Sequence, residues 1–429
     1  MNNEKKFKDL PEGWKWVRLE EDVILITGSR PKGGAIEEGI PSLGGEHITE
    51  DGRIIFTEQN AKYIPDKFFK LMPKGKVEVN DILINKDGAN TGKVAILKVK
   101  FHPHIAINEH LFILRSKKLF EQKYLFYWLY SSFAQTEIRN RITGSAQPGL
   151  SSSFIKNFFL PLPPLPEQQK IAEILETVDN AIEKTEKIIE KYKRIKQGLM
   201  QDLLTKGIDE NGNIRSEKTH KFKDSPLGRI PEEWEVVRLG EILKFLKGKT
   251  PRKLYDYEEE GMTIYLTPEY LRKNKCDVAF CKKEETLLAN EDIIILWDGS
   301  NAGEVFWAEK GAVASTMAKI DITSSDFPIY KKFLYYYLKS NEFVFKYQVK
   351  GSGIPHFEKD ILNTLNSVFP PLSEQKRIAE ILSQIDQAIE KEEKYKQKLE
   401  RLKKGLMEDL LTGKVRVNKL LEGENHGMA

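Results

Sequence analysis

Between Pro163 and Thr205 the apolar positions fall three and four residues apart: Ile171, Leu175, Val178, Ile182, Ile189, Tyr192, Leu199 and Leu203. That period predicts one long amphipathic helix with a coiled-coil seam. From Glu167 to Thr205 it would run about 58 Å at ~1.5 Å per residue. The pattern returns at a constant offset of 207, from Pro370 to Thr412, with Ile378, Leu382, Ile385, Ile389, Leu399, Leu406 and Leu410 on the seam. Of the 43 aligned residues 27 are identical, and low complexity does not account for that, so the chain carries a true internal repeat. Laying the two stripes against each other, antiparallel, is the simplest way to bury both. The alternative is two independent helices, each docked on its own domain. The second seam is polar at Glu392 and Lys396, which predicts looser packing there or contact with another protein.

The segments before each helix also match, with shifting offsets. Pro11-Glu-Gly-Trp14 returns as Pro231-Glu-Glu-Trp234, and both tryptophans read as core anchors. Thr27-Gly-Ser-Arg-Pro-Lys32 aligns with Lys247-Gly-Lys-Thr-Pro-Arg-Lys253. Each is a short basic Gly/Pro loop after a strand-like run. Such a loop can hold phosphate through Arg30 and Lys32, or Lys249, Arg252 and Lys253; it can equally be a solvated turn. Residues 40–115 read mostly as strand and turn. Asn85-Lys-Asp-Gly-Ala-Asn-Thr-Gly92 matches Leu296-Trp-Asp-Gly-Ser-Asn-Ala-Gly303, with the Asp-Gly chemistry of a tight hairpin. A shared turn requires only a shared fold, yet Lys86, Asn90 and Thr91, like Trp297, Ser300 and Asn301, are side chains able to read base edges from a rigid tip. His110, Gln147 and His356 complete the candidates for DNA contact. His102, His104 and His110 lie close in sequence, but the matching stretch, Gly311 to Met317, has no metal ligands comparable to them, so no metal site is assigned. Aromatic-rich helices are predicted over Gln122–Ile138 and Ile329–Tyr347, with their rings on a packed face.

Composition narrows the picture only a little. Charged residues make up 31% of the chain, yet the net charge is +4, so any nucleic-acid surface must be local. Two cysteines, Cys276 and Cys281, lack a second pair for a metal site and read as incidental thiols of a reduced compartment. No apolar run is long enough to span a membrane and no signal peptide is present, so a cytoplasmic location is expected. The boundaries are then a first domain over 1–160, a helix over 161–207, a polar linker over 208–230, a second domain over 231–367, a second helix over 368–415 and a tail over 416–429. The N-terminal Lys6-Phe-Lys-Asp resembles the linker's Lys221-Phe-Lys-Asp, which makes the pattern circular. Duplex DNA has a local two-fold and a helical repeat of roughly 34 Å, which two similar readers on a rigid spacer would match. Helices that agree closely and domains that agree only in scaffold suit readers of two different sequences.

The Pro-Pro-Leu-x-Glu-Gln-x-x-Ile-Ala-x-Ile-Leu run, the Gly-Leu-Met-x-Asp-Leu-Leu-Thr end, Pro-Glu-x-Trp and the Asp-Gly turn, each found twice, resemble the specificity subunit of Type I restriction–modification enzymes. The resemblance covers essentially the whole chain. One departure is Ser373 where the first copy has Pro166, and serine is itself a good helix cap. The resemblance implies an α+β fold with two pseudo-repeated target-recognition domains separated by two long antiparallel coiled-coil helices in a circular, pseudo-two-fold arrangement. It implies binding of double-stranded DNA at an asymmetric bipartite sequence, one half-site per domain. It also implies recruitment of two modification subunits, and of two restriction subunits in the full complex. S-adenosylmethionine, ATP and Mg would belong to those partners, with no cofactor on this chain.

The residues give an enzymatic reading little support. There is no Gly-rich cofactor loop after a strand, no Asn/Asp-Pro-Pro-aromatic motif of an adenine methyltransferase and no phosphate-binding Gly-x-x-x-x-Gly-Lys-Ser/Thr loop. The carboxylates of the long helices are interleaved with lysines, as on a solvated coiled-coil face. A pure coiled-coil scaffold would leave two whole domains without a role.

Overall fold

In the computed structural model, which describes residues 10–144, 148–272, 277–324, 327–347 and 365–421, the principal helices are α1 (Gln122–Tyr130), α2 (Ser132–Arg139), α3 (Leu165–Leu203), α4 (Lys331–Ser340), α5 (Glu342–Tyr347) and α6 (Leu372–Leu411). The two long helices begin just after the Pro-Pro pairs, as the sequence predicts. The chain divides into two units, residues 1–186 with 394–429, and residues 187–393. Each unit therefore contains one domain and a part of both α3 and α6.

In the first unit, β1 (Lys15–Arg18) pairs antiparallel with a later strand, Phe159–Leu162. A four-stranded antiparallel sheet is formed by β2 (Val23–Thr27), β3 (Ile82–Asn85), β4 (Val94–Ile96) and β5 (Leu111–Ser116), in the order β2-β5-β3-β4. Every residue of β3 is buried, so one face of this sheet packs on α1 and the other on a smaller cluster around Leu43 and Ile107. The main core gathers Trp14, Tyr124, Trp128, Phe158, Ile171 and Leu175, and it includes Leu410 and Leu411 from the end of α6.

The second unit repeats the plan on a larger sheet. Strands β6 (Leu243–Lys247), β7 (Met262–Leu266), β8 (Phe280–Lys282), β9 (Leu288–Leu296), β10 (Val305–Val313) and β11 (Met317–Ile322) lie in the order β6-β11-β9-β10-β7-β8. The first four of that order match β2-β5-β3-β4. Glu235–Arg238 pairs with Asn366–Phe369 as β1 pairs with Phe159–Leu162. The core centres on Trp234, Phe333, Tyr336, Ile378 and Leu382.

Three details depart from the sequence reading. The aromatic stretch after β5 is two helices rather than one. Ser131 is extended (ψ 154°), its Oγ accepts from the Ala134 amide and donates to the Trp128 carbonyl, and so it closes α1 and caps α2. The second aromatic stretch breaks likewise, at Asn341. Finally, the linker carries an antiparallel hairpin, Phe222–Ser225 against Gly228–Pro231, and buries Ile208 and Ile230.

Candidate nucleic-acid interface

The repeated motifs meet at one anchor in each unit. In the first, Glu167 is buried at the start of α3, accepts from Trp14 Nε1 at 3.4 Å, and takes a two-pronged hydrogen bond from Arg416 (2.9 and 2.5 Å). In the second, Glu374 accepts from Trp234 Nε1 at 3.3 Å and from both ends of Arg215 (2.5 and 3.1 Å). The following glutamine is equally fixed. Gln168 accepts from the Glu121 amide and donates to the Leu119 and Pro163 carbonyls; Gln375 accepts from the Tyr330 amide and donates to those of Pro328 and Pro370. The Glu-Gln pair thus seats a long helix on its domain, and neither member is left for ligand. Arg416 and Arg215 do not stand out in the sequence. The signal is a Gly-(x)n-Arg after each long helix, with Gly207 and Gly413 both at positive φ, but the two loops differ in length.

The helices pair antiparallel inside each unit. In the first, Asp179 meets Lys403 and Glu186 meets Lys396, so partners descend along α6 as they ascend along α3. In the second, Lys193 meets Glu393 and Lys196 meets Asp386. Of the seam positions, Ile171, Leu175, Val178, Ile189, Leu203, Ile378, Leu382, Ile389, Leu399 and Leu410 are buried, while Ile182, Tyr192, Leu199, Ile385 and Leu406 are half-buried. The polar seam position Lys396 has its own partner, Glu186. A tyrosine of each domain donates to an aspartate of the long helices: Tyr127 to Asp179 and Tyr336 to Asp386. Burial, aided by the adjacent carboxylates, pushes both phenols well above the ordinary tyrosine range, against a lowering hydrogen bond with Ser383 at Tyr336, so both remain protonated donors. The first unit adds Arg53, which joins Glu186 to Asp51 at the edge of a cleft of about 810 Å³.

Beyond the anchors the tips diverge. The basic Gly/Pro loops start alike: a Cβ on Gly28 would lie 1.9 Å from the Asn108 carbonyl oxygen, and one on Gly248 2.2 Å from that of Ala314, so only glycine fits. In the first unit this brings Arg30, Lys86 and His110 into one chain of polar contacts. Arg30 pairs with Glu109 at 3.3 Å, His110 Nδ1 lies 2.6 Å from Asp87, and Lys86 lies 3.9 Å from Asp87 and over the Phe112 ring. Lys32 is exposed beside them. Asn90 donates to the Gly45 carbonyl and Thr91 to those of Gly88 and Pro148, so both brace the turn. Glu109, absent from the sequence candidates, sits at the centre of the group.

In the second unit Lys249, Arg252, Lys253, Ser300 and Asn301 are all exposed. The Arg252 amide donates to Glu285, and Lys253 lies 4.9 Å from the Tyr255 ring centre. Trp297 is half-buried edge-on against Phe245, with Lys247 over its face and paired to Asp298. Gln147 and His356 lie outside the described residues, as does Cys276. Cys281 is buried, and burial raises its thiol above the usual range. His102 hydrogen-bonds the His104 backbone. Among the described residues no group of three His, Cys, Asp or Glu side chains is placed to hold a metal, and no helix is long and apolar enough to cross a membrane.

One scaffold used twice, clamped twice to paired helices and tipped with different chemistry, defines a two-module recognition protein. The family model described as the Type I restriction modification DNA specificity domain matches residues 11–194 and again 231–401, and the chain belongs to that family. It is 32% identical over 421 residues, 95% of each chain, to the putative Type I restriction enzyme MjaX specificity subunit of Methanocaldococcus jannaschii. It is 42% identical over 196 residues, 46% of each chain, to the MjaVIII specificity subunit of the same organism. Among solved structures, the S subunit of a Type I restriction–modification system from M. genitalium aligns with a TM-score of 0.64 at 17% identity, covering 94% of this chain and 96% of that one, a likeness in fold. The chain is a DNA-recognition component of such a system and not its catalytic part.

Proposed function

We propose that the chain reads a split, asymmetric sequence in double-stranded DNA, one half per domain. In this reading the paired helices set the gap and recruit two modification subunits and, in the full complex, two restriction subunits. The observation that carries it is the doubled anchor with undoubled tips. Glu167 and Glu374 hold their domains by the same contacts, whereas beside the two Asp-Gly turns Lys86 and Thr91 of the first give way to Trp297 and Ala302 of the second. Arg30, Lys32, Lys249, Arg252 and Lys253 supply charge to phosphates, which positions without specifying, and the tips supply discrimination. Helix α3 is continuous from Leu165 to Leu203 and α6 from Leu372 to Leu411, as a spacer needs. S-adenosylmethionine, ATP and Mg are assigned to the partner subunits, and the setting is the cytoplasm.

The test is a genome-wide map of modified adenine in the host with the wild-type gene, without it, and with residues 1–160 exchanged for another such domain. The expected result is one split motif that disappears with the gene, and whose first half alone changes on exchange. Loss of no methylation on deletion, or change of both halves on exchange, overturns the one-domain, one-half-site reading.

A further inference from the structure

The first unit carries a loop where the second runs straight. The sheet registers on either side of it agree. Ile82 faces Ile96 as Ile293 faces Trp307, and Ser42 lies beside Ala106 as Tyr265 lies beside Ala312. From Trp307 to Ala312 the unbroken strand β10 spends four residues, 308–311. From Ile96 to Ala106 the first unit spends nine, 97–105. Those nine include Lys98, Lys100, His102 and His104 and no carboxylate.

Two apolar side chains of this loop face outward: Val99 is 77% exposed and Phe101 46%. Phe101 is held there by a stack of rings. Its centre lies 5.1 Å from that of Phe56 with 20° between the planes, and Phe56 lies 5.2 Å from buried His47 with 18°. His47 is fixed in turn, since Nδ1 accepts from the Gly44 amide and Nε2 lies 2.9 Å from the Asn60 carbonyl oxygen. The stack also reaches the basic tip. Glu46, next to His47, pairs with Lys62, and both wall a small cavity together with Arg30. A ring already fixed in place loses little further freedom on binding.

Exposed apolar surface among cations marks an interaction site. Two copies of one partner subunit would need the same surface on both units. A surface built once suits what differs between the units, the half-site. Phe56 covers one face of Phe101, so the ring cannot slide between base pairs, which takes both faces. Its free face and edge can pack on an apolar group, and in the major groove thymine offers one, its 5-methyl.

We infer that Phe101 is a specificity-determining residue of the first domain, packing on the 5-methyl group of a thymine in the first half-site. The lysines and histidines of the loop supply charge toward the phosphates beside it. The inference rests on the half-site reading above and adds to it a residue and a base.

The experiment uses the full chain assembled with its host modification subunits. Duplexes carry the methylated motif, and each thymine of the first half-site, on either strand, is replaced in turn by deoxyuridine, which removes only the methyl group. Binding is compared for wild type, Phe101→Ala and Phe101→Leu. The expected result is one thymine whose replacement weakens wild-type binding about 4-fold, the worth of one buried CH2-sized group, and leaves Phe101→Ala binding unchanged. Phe101→Leu keeps part of the difference, and the second half-site responds alike in all three. A deoxyuridine effect of equal size in wild type and Phe101→Ala, or none at any thymine, overturns the inference. So does a loss of modification subunits from Phe101→Ala on gel filtration, which would make the loop a protein contact. Should Phe101→Ala lower stability, Phe101→Leu decides by the same comparison. A wild-type methylation map with no split motif fails the half-site reading itself, and the inference with it.

Discussion

Around Glu167 and Glu374 the two units place the same four groups: an indole N–H, a two-pronged arginine, a buried carboxylate and a glutamine that closes the domain onto its helix. Past Ile96 and Trp307, on equivalent backbone, they differ: the first unit places nine residues where the second places four. The anchor must satisfy buried charge, and few solutions exist, so both units use the same one. A tip has only to hold its backbone; once Gly28 or Gly248 and the Asp-Gly turn have done so, its side chains are free to differ. The arginines sharpen the point. Arg416 arrives three residues after Gly413 and Arg215 eight after Gly207, so the anchor fixes the group and not the route to it.

The largest effect should come from removing an anchor carboxylate. Glu374→Ala leaves Arg215, whose side chain is 11% exposed, without its partner inside the protein, and strands the Trp234 N–H. A cost of about 3–5 kcal/mol is expected, as for other broken buried pairs. Glu167→Ala should cost less, because Arg416 is 26% exposed and can turn to water. Denaturant unfolding followed at each unit checks the order. Equal costs, or a larger one for Glu167, would mean that burial of the arginine does not set the strength of the anchor.

How much of this is open to reading in the sequence follows the same division. The long helices, the tryptophan anchors and the Asp-Gly turn are legible because a constraint repeats itself in the letters. The break at Ser131 is not, since the aromatic run reads as continuous and a capping serine announces itself only once its Oγ has two backbone partners. The two arginines are hidden by unequal loops. Asn90 and Thr91 look like base readers by residue type, while the fold turns both toward backbone carbonyls. Phe101 opens a Phe-His-Pro-His run in which the histidines are the more conspicuous residues, and only the stack on Phe56 and His47 shows its ring held toward solvent.

A middle-sized effect is expected at the seam. Lys403 meets Asp179 beneath Tyr127 and Tyr130, and Lys196 meets Asp386 beneath Tyr336. The side chain of Lys403 is 11% exposed and that of Lys196 is 19% exposed. Replacing either with methionine keeps the stem and removes the charge. Lys403→Met should destabilise by about 2 kcal/mol and Lys196→Met by about 1 kcal/mol, because Asp179 is more deeply buried than Asp386 (14 against 36% exposed), even with Lys98 3.7 Å from Asp179. A double-mutant cycle with Asp179→Asn and Asp386→Asn reads the couplings directly, and a stronger coupling at Lys196 would reverse the comparison.

The smallest effect concerns a contact that has no twin among the described residues. Arg53 ties the first domain to Glu186, whereas the residue at the equivalent helix position, Glu393, is paired with Lys193 of the other long helix. Burial raises the Glu186 carboxyl, but hydrogen bonds from Arg53 and Lys396 outweigh it and hold the group below its ordinary 4.5. A carboxyl depressed on folding stabilises the folded state at pH above its unfolded value, and that contribution disappears as pH falls through the lower folded value. With Arg53 38% exposed, the gain is partly screened and should be about 1 kcal/mol. Glu186→Gln should therefore be less stable than wild type at pH 6, and the difference should close as the pH is taken down from about 4.5. Glu393→Gln, relieved of no domain contact, should show a smaller gap at pH 6. If the two glutamines behave alike across the range, Arg53 adds nothing beyond an ordinary interhelical pair.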